Sequence, residues 1–349
     1  MQPRLRVRSI VLPLKAALIA VLVVGSAKVD FSAAAADNSS PDLLKLGTVK
    51  FIGPTGCPNG SASGATCKAI TVSCPGLPDI NATLGSAFPT GTARGTIILL
   101  SGGPGTTFFN SGFANAYLGD GFQVAQLAWA SDWADANGAG VKSAACRPAT
   151  VFKAVFNTVQ HESRTTGFCG QGISGGSAAL AYSLAHYGLS AFFDYVVLAS
   201  GPGVARMDYG CDKSLYTGGP RNLCPLLPNA IFAYGSGKLV NGWENTTTCT
   251  DANPLQSDID RWTADSIIST GASYSYPQTG MSWFFCATPP AGGGSTGQGS
   301  FLIDQVVPKN APPDVNCYSG ICQAEAVWQD PSAFSTTHSE MLAQCVPNH

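Results

Sequence analysis

The chain has 349 residues, a formal net charge of −2 and only 11% charged residues. So weak a charge excludes the basic surfaces that bind nucleic acid or an anionic membrane, and it favours a neutral substrate. The twelve cysteines, an even number, favour disulfides over metal ligation in an exported chain, so we expect no metal and no cofactor.

The N-terminal segment has the order of a secretory signal peptide. It begins with several arginines, continues through the apolar run 16–24 and ends in small residues before Asp37. Cleavage after Ala27 and cleavage after Ala36 both fit this pattern. The apolar run is short for a membrane-spanning helix, so a retained N-terminal anchor is the less favoured alternative. We therefore expect residues 1–36 to be removed, leaving a secreted or periplasmic protein without a membrane span.

The sequence predicts strands followed by a helix in the first third of the mature chain. Residues 48–84 alternate short strands with turns, which indicates antiparallel pairing. The continuous apolar run 95–100 predicts a strand buried on both faces of a mostly parallel sheet, and it ends in the glycine-rich loop 101–105. A further strand is predicted at 122–129 and a helix at 149–159.

Residues Gly172-Ile173-Ser174-Gly175-Gly176 match the pattern G-x-S-x-G. With 40 glycines in the chain, chance alone gives about 0.4 such matches, so the context must carry the inference. A predicted strand at 167–172 precedes the serine, and a helix at 177–187 and a strand at 195–199 follow it. This strand, turn, helix, strand order is the setting in which a turn presents a nucleophilic serine.

The C-terminal part contains an insertion and then returns to the alternating pattern. Residues 209–275 read as a cap, so the predicted core comprises 37–208 and 276–349. The elements predicted in this part are a helix at 256–268, a strand at 280–287, a helix at 301–307, a last strand at 324–328 and a last helix at 339–345.

A serine hydroxyl needs a base to act as a nucleophile at neutral pH. Of the four histidines, His338 lies in the predicted loop between the last strand and the last helix, where this architecture needs its base. Ser101 and Ser177 are rival nucleophiles, but neither has the strand-turn-helix position of Ser174.

Charge that develops on an acyl oxygen needs preorganised N–H donors. Gly175, directly after the serine, is one candidate, and Gly103 is the preferred second, with Gly102 or Gly105 as alternatives. Aromatic residues near the ends of the predicted strands could line an acyl pocket or belong to the core: Phe108, Phe109, Trp129 and Trp133.

These motifs together resemble the α/β-hydrolase superfamily, and the loop 101–105 is similar to the His-Gly-Gly-Pro-Gly loop of its proline iminopeptidase-like branch. The resemblance implies an α/β fold with a central, mostly parallel sheet, helices on both faces and a disulfide-containing cap. It also implies that Ser174 is the nucleophile, His338 the base, and Gly175 and Gly103 the oxyanion donors.

The acid of the implied triad is less well defined. Members of the superfamily usually carry it just after the strand that here ends near residue 287, but residues 288–299 contain no Asp or Glu. Some members place it one strand earlier, where Asp208 stands. An ion pair with Arg206 or a loop cap explains Asp208 equally well, and Asp304 and then Asp330 are the alternative acids.

The preferred function is a secreted serine hydrolase that cleaves a small or polymeric neutral ester through an acyl-enzyme. An aminopeptidase-like serine peptidase and a catalytically impaired binding protein with the same fold are the alternatives. The sequence does not determine the disulfide pairing or the oligomeric state, but a bridge between Cys146 and Cys169 is attractive because it would brace the serine turn.

Overall fold

A computed structural model gives the architecture of the protein. It describes residues 42–215, 224, 249, 254–286, 292–318 and 327–347. The predicted signal peptide 1–36 and most of the predicted cap 209–275 lie outside the described residues.

The described strands are β1 Thr48–Thr55, β2 Thr66–Ser73, β3 Ile80–Ala87, β4 Gly95–Leu100, β5 Gln123–Trp129, β6 Gly167–Ile173, β7 Tyr195–Ala199, β8 Ser275–Tyr276, β9 Gly280–Cys286, β10 Val307–Pro308 and β11 Asp314–Tyr318. Nine of them form the central sheet of the described structure, in the order β1-β2-β3-β5-β4-β6-β7-β9-β11. The neighbours from β1 to β5 in this order pair antiparallel, and those from β5 to β11 pair parallel. The short strands β8 and β10 form a separate parallel pair.

Helices cover both faces of this sheet. The described helices are α1 Ser111–Gly119, α2 Val141–Ala144, α3 Cys146–Thr158, α4 Gly175–Tyr187, α5 Met207–Cys211, α6 Gln256–Asp265, α7 Gly292–Gln305 and α8 Pro331–Gln344. Alternate residues of β4 belong to different apolar clusters: Ile98 packs with the residues of α3 and α4, whereas Ile97 packs with those of α1 and α8. The predicted mostly parallel sheet with helices on both faces is confirmed.

The C-terminal elements differ from those predicted. The predicted strand 324–328 lies partly outside the described residues, and Val327–Gln329 form a 3-10 turn, so the last strand of the sheet is β11. Helix α8 begins at Pro331, because Asp330 caps its N-terminus by accepting a hydrogen bond from the backbone N–H of Ser332 at 2.8 Å. His338 therefore lies within a helix and not in a loop.

The bridge between Cys146 and Cys169 is not formed. Cys74 pairs with Cys146, and Cys169 pairs with Cys345. The reason is geometric: Cys146 packs in the apolar cluster on one face of the sheet, and Cys169 packs in the cluster on the other. The further described bridges are Cys57–Cys67, Cys211–Cys249 and Cys224–Cys317.

None of the helices in the described ranges combines the length and the apolar character that crossing a membrane requires.

Candidate active site

Ser174 forms the corner between β6 and α4. Its backbone is left-handed, with φ 51° and ψ −111°, and its N–H donates to the carbonyl oxygen of Ala199 at 2.8 Å. Non-glycine residues rarely adopt positive φ, and they keep it only where the surrounding structure enforces it. Here the hydrogen bond to the end of β7 and the start of α4 enforce it, so the serine stands at the carboxyl end of the parallel strands.

The glycines of the motif allow close backbone contacts around Ser174. A Cβ on Gly172 would lie 2.5 Å from the carbonyl oxygen of Gly176, and a Cβ on Gly175 would lie 2.2 Å from that of Gly103. Both distances are too short for any side chain. Position 175 therefore has to be glycine if the loop 101–105 is to approach the serine corner.

The two predicted oxyanion donors meet at this contact. The backbone nitrogen of Gly103 lies 3.2 Å from the point that a Cβ of Gly175 would occupy. Gly105 fixes the rest of the loop: its N–H donates to Gly102 and its carbonyl oxygen accepts from Trp129. The structure therefore brings Gly103 and Gly175 together beside Ser174.

Ser174 lines an apolar cavity with a free volume of about 20 Å³. No charged side chain is among its described lining residues. Its walls are Trp133, Ala134, Val141, Gly175, Ala178, Gly203 and Val204.

The aromatic residues named from the sequence have different positions. Trp133 lines the serine cavity, and Trp129 lies beside Gly105 at the end of β5. Phe108 packs against Cys67 in a small cluster of its own. Phe109 contacts Phe113 and Trp328 in the core, so only Trp133 reaches the cavity of Ser174.

The hydroxyl of Ser174 has no hydrogen-bond partner among the residues that the structure describes. The rival serines are engaged elsewhere: Ser101 Oγ donates to the Thr107 carbonyl at 2.7 Å, and Ser177 Oγ donates to the Ser174 carbonyl at 2.6 Å. Ser174 is therefore the serine that presents an uncommitted hydroxyl to the cavity.

A buried carboxylate supports one wall of the cavity. Asp265 of α6 accepts hydrogen bonds from the backbone N–H groups of Val141 at 2.6 Å and Lys142 at 2.8 Å, at the N-terminus of α2. Burial raises the pKa of Asp265 to about 6, although these two donors act in the opposite direction. Because both carboxylate oxygens bind backbone groups, Asp265 positions Val141. The sequence pattern gave no sign of this contact.

The structure does not bring His338 to Ser174. His338 Nε2 lies 2.8 Å from Asp120 Oδ2, and its ring stacks on Tyr117 with 5.3 Å between centroids. Asp120 follows α1 and precedes β5, so this pair lies at the amino end of the parallel strands. Ser174 lies at the carboxyl end, one strand length of roughly 20 Å away along β6.

This geometry corrects the expectation that His338 serves Ser174 as a base, and its cause is the early start of α8. The other described histidines also lie elsewhere. His186 Nε2 bonds the Ile267 carbonyl at 3.0 Å, and His161 is exposed in the turn after α3. His349 lies outside the described residues.

Asp208 is paired with a cation and not with a histidine. Arg206 donates to both of its carboxylate oxygens, through Nε at 2.9 Å and through a terminal nitrogen. Among the explanations that the sequence left open for Asp208, the structure shows the ion pair with Arg206. Of the alternatives, Asp304 lies in α7 and Asp330 caps α8. The proposed triad of Ser174, His338 and Asp208 is therefore not assembled.

Comparisons with known proteins identify a likeness of fold. No family model matches the chain, and no curated protein sequence matches it. An acetyl xylan esterase from Paenibacillus sp. R4 has a similar structure, with a TM-score of 0.52 and 9% identity over 84% of this chain and 89% of that one. Acetyl xylan esterase 1 from Thermoanaerobacterium sp. JW/SL YS485 gives a TM-score of 0.51 and 10% identity over 84% and 87%.

At these identities the likeness extends to the fold alone. It does not confirm the branch that the loop 101–105 resembles.

Proposed function

The chain has the α/β-hydrolase fold, and on that premise we propose that the protein is a secreted hydrolase of carboxylic esters with Ser174 as its nucleophile. The preference for esters draws on the two structurally similar acetyl xylan esterases, which share the fold. Export is supported by the signal-like segment 1–36 and by the described disulfides, which form and persist in oxidising compartments.

The observation that carries the proposal is the backbone of Ser174. A left-handed serine between a buried strand and a helix costs on the order of 1–3 kcal/mol. Ser174 has this conformation, makes no capping hydrogen bond for α4 and lines a cavity. A purely structural turn would have no use for a hydroxyl here, whereas a nucleophile needs a hydroxyl that faces a cavity at such a corner.

The chemistry follows from the arrangement of the backbone. Ser174 Oγ attacks the ester carbonyl carbon, and the carbonyl oxygen gains negative charge. In this proposal the N–H groups of Gly175 and Gly103, two residues whose backbones approach closely beside Ser174, donate to that oxygen. Collapse of the tetrahedral intermediate expels the alcohol and leaves an acyl group on Ser174. Water then attacks this acyl-enzyme, releases the carboxylic acid and restores the serine.

The proposal assigns no side chain as the base, because no described histidine or carboxylate contacts Ser174 Oγ. The proton of Ser174 passes to solvent in this scheme. Serine enzymes that lose the acid or the base of their triad lose roughly 10⁴–10⁶-fold in kcat, because the hydroxyl is then poorly activated. We therefore expect slow turnover.

The lining of the cavity favours an ester over the peptide of the aminopeptidase-like alternative. A free α-amino group would need a carboxylate partner near the scissile bond, since an unpaired buried charge is costly. The described residues around Ser174 supply apolar side chains and backbone. A neutral acyl group fits these walls without such a cost.

Hydrolysis of 4-nitrophenyl acetate tests the proposal. We expect the purified protein to release 4-nitrophenol slowly above background, and Ser174→Ala to abolish this release. Ser183→Ala is the matched control. Ser183 is also buried, lies within α4, and donates its only described side-chain hydrogen bond to the Ala179 carbonyl. Equal activity in wild type and Ser174→Ala would refute the proposal.

A second candidate is a binding protein that retains the fold without catalysis. It is favoured by the contacts that hold His338 at Asp120 and Asp208 at Arg206, both away from Ser174. Under this candidate the wild-type protein is folded but does not acylate Ser174. Reaction of the serine with an irreversible acylating or phosphonylating reagent separates the two candidates.

A further inference from the structure

A second, larger cavity lies on the antiparallel part of the sheet. Its volume is about 360 Å³, compared with about 20 Å³ for the cavity at Ser174. We call it the β2–β3–β5 groove. Its lining residues are Ile52, Pro58, Ala69, Ile70, Asn81, Ala82, Thr83, Thr106, Ala128, Trp129 and Ala130.

The groove opens on the same edge of the sheet as Ser174. Trp129 ends β5 and pairs with Ala82 of β3, and β5 is separated from β6 by β4 alone. Neighbouring strands lie about 4.8 Å apart, so two spacings place Trp129 roughly 10 Å from the strand that leads to Ser174. The groove therefore begins within reach of a substrate whose carbonyl group is at the serine.

One loop connects the two cavities. Gly103 contacts the serine corner, and Thr106 lines the groove three residues later. Between them, Gly105 lies against both tryptophans: a Cβ there would be 2.8 Å from Trp129 and 3.3 Å from Trp133. Trp133 lines the serine cavity and Trp129 lines the groove, so the loop forms a continuous boundary from one to the other.

The lining of the groove is uncharged but offers hydrogen bonds. Asn81, Thr83 and Thr106 carry amide or hydroxyl groups, and no lysine, arginine, aspartate or glutamate is among the described lining residues. The indole N–H of Trp129 has no acceptor in the described part of the chain, and it is not one of the buried polar atoms there that lack a partner, so it is open to solvent. Asn81, Thr83, Thr106 and this indole N–H can therefore hydrogen-bond a ligand in the groove.

The two cavities also differ in what they can hold. The free volume beside Ser174 is about 20 Å³, so the larger part of an ester must lie outside that cavity. The groove is large enough for a drug-sized ligand and joins the serine corner through the loop. Size and chemistry both assign it to the alcohol side of the ester.

We propose that the β2–β3–β5 groove binds the alcohol portion of the substrate, a neutral alcohol that carries several hydroxyl groups, while a short acyl group occupies the cavity at Ser174. This inference rests on the proposed esterase function for its catalytic meaning. Binding of the free alcohol does not require Ser174 to react.

Selectivity between two esters tests the groove. Ile52→Arg places a long side chain at its rim, and Phe88→Arg is the matched control because Phe88 is 56% exposed, against 58% for Ile52, and lines a different groove. We expect Ile52→Arg to lower the ratio of kcat/KM for cellobiose monoacetate to kcat/KM for ethyl acetate about tenfold, a loss of about 1.4 kcal/mol. Phe88→Arg should leave this ratio unchanged.

Two kinetic outcomes would overturn the inference. One is an unchanged ratio in Ile52→Arg, and the other is a selective loss with 4-nitrophenyl octanoate, which would assign the groove to the acyl chain.

Saturation-transfer NMR with free cellobiose tests binding without catalysis. We expect transfer to the sugar in wild type and in Ser174→Ala, and a clear reduction in Ile52→Arg but not in Phe88→Arg. Absence of transfer in a folded wild type would reject the groove even if the protein is an esterase. Transfer together with a complete lack of esterase activity would reject the proposed function and retain the groove.

Discussion

Ser174 combines a backbone conformation that opposes stability with a hydroxyl that has no partner in the described structure. Its φ of 51° is maintained by the hydrogen bond to Ala199 and by the start of α4. Strain of this kind is typically stored at functional sites. At the scale of single residues, the proposed role of Ser174 therefore rests on its strained backbone conformation.

This cost leads to a stability prediction. Ser174→Gly removes the Cβ that opposes positive φ, and no capping hydrogen bond is lost because Ser174 makes none. We expect Ser174→Gly to raise the free energy of unfolding by about 1 kcal/mol relative to Ser174→Ala, which keeps the Cβ. Urea denaturation of both variants measures the difference. Equal stability would show that the corner is not strained.

A second residue-scale prediction concerns His338. Its bond to Asp120 lies at the opposite end of the strands from Ser174, so His338→Asn should leave kcat/KM for 4-nitrophenyl acetate unchanged. Both side chains are partly exposed, so loss of this hydrogen bond should cost at most about 1 kcal/mol of stability. Steady-state kinetics of the variant give the answer. Loss of activity in a folded His338→Asn protein would restore the histidine to the mechanism.

At the scale of elements, the sequence predicted the serine corner well and the C-terminus poorly. Strand β4 and helix α4 are defined by local apolar patterns, and both lie where those patterns place them. Helix α8 starts eight residues before the prediction, although Asp330 and Pro331 are a recognisable helix start. Strand β11 was missed because its residues are partly exposed and polar, so no apolar run marks it.

Two buried titratable side chains, His186 and Asp265, lie where helices α2, α4 and α6 meet. Their pKa values are shifted in opposite directions. Burial, with a smaller contribution from Lys142, lowers the pKa of His186 from 6.5 to about 4. Burial raises the pKa of Asp265 from 3.8 to about 6. His186 thus contributes stability above pH 6.5 that is lost as pH falls toward 4. Asp265 lowers stability above pH 6, and this loss is reversed as pH falls toward 4.

Variants of each group should therefore shift the acid response in opposite directions. Between pH 7 and pH 4.5, relative to wild type, His186→Gln should gain about 2 kcal/mol of unfolding free energy and Asp265→Asn should lose about 2 kcal/mol. Denaturant titrations at the two pH values measure both changes. A shift of the same sign in both variants would contradict the assigned pKa directions.

At the scale of the whole molecule, contacts between distant residues limited what the sequence could predict. The mostly parallel sheet follows from local patterns, but the partner of each cysteine depends on which face of the sheet it packs against. The same limit applied to His338, whose partner Asp120 is 218 positions away in the chain. The contact between Gly103 and Gly175 was predictable because the resemblance supplied it.

The disulfides that join distant parts of the chain should contribute most to global stability. Cys169–Cys345 closes a loop with a sequence separation of 176, and Cys57–Cys67 closes one of 10. Loop-closure entropy predicts losses of about 5 and about 3 kcal/mol when each bridge is replaced by an alanine pair. Thermal unfolding of the two double variants compares them. A larger loss for the Cys57–Cys67 pair would refute this ordering.

The central claim is that Ser174 is a nucleophile, and mass spectrometry after prolonged incubation with a fluorophosphonate tests it most directly. The account predicts one adduct on the wild-type protein, located on the peptide that contains Ser174 and absent from Ser174→Ala. It also predicts that Ser183→Ala reacts like wild type. A folded wild-type protein that remains unmodified, or an adduct on another serine, would contradict the account.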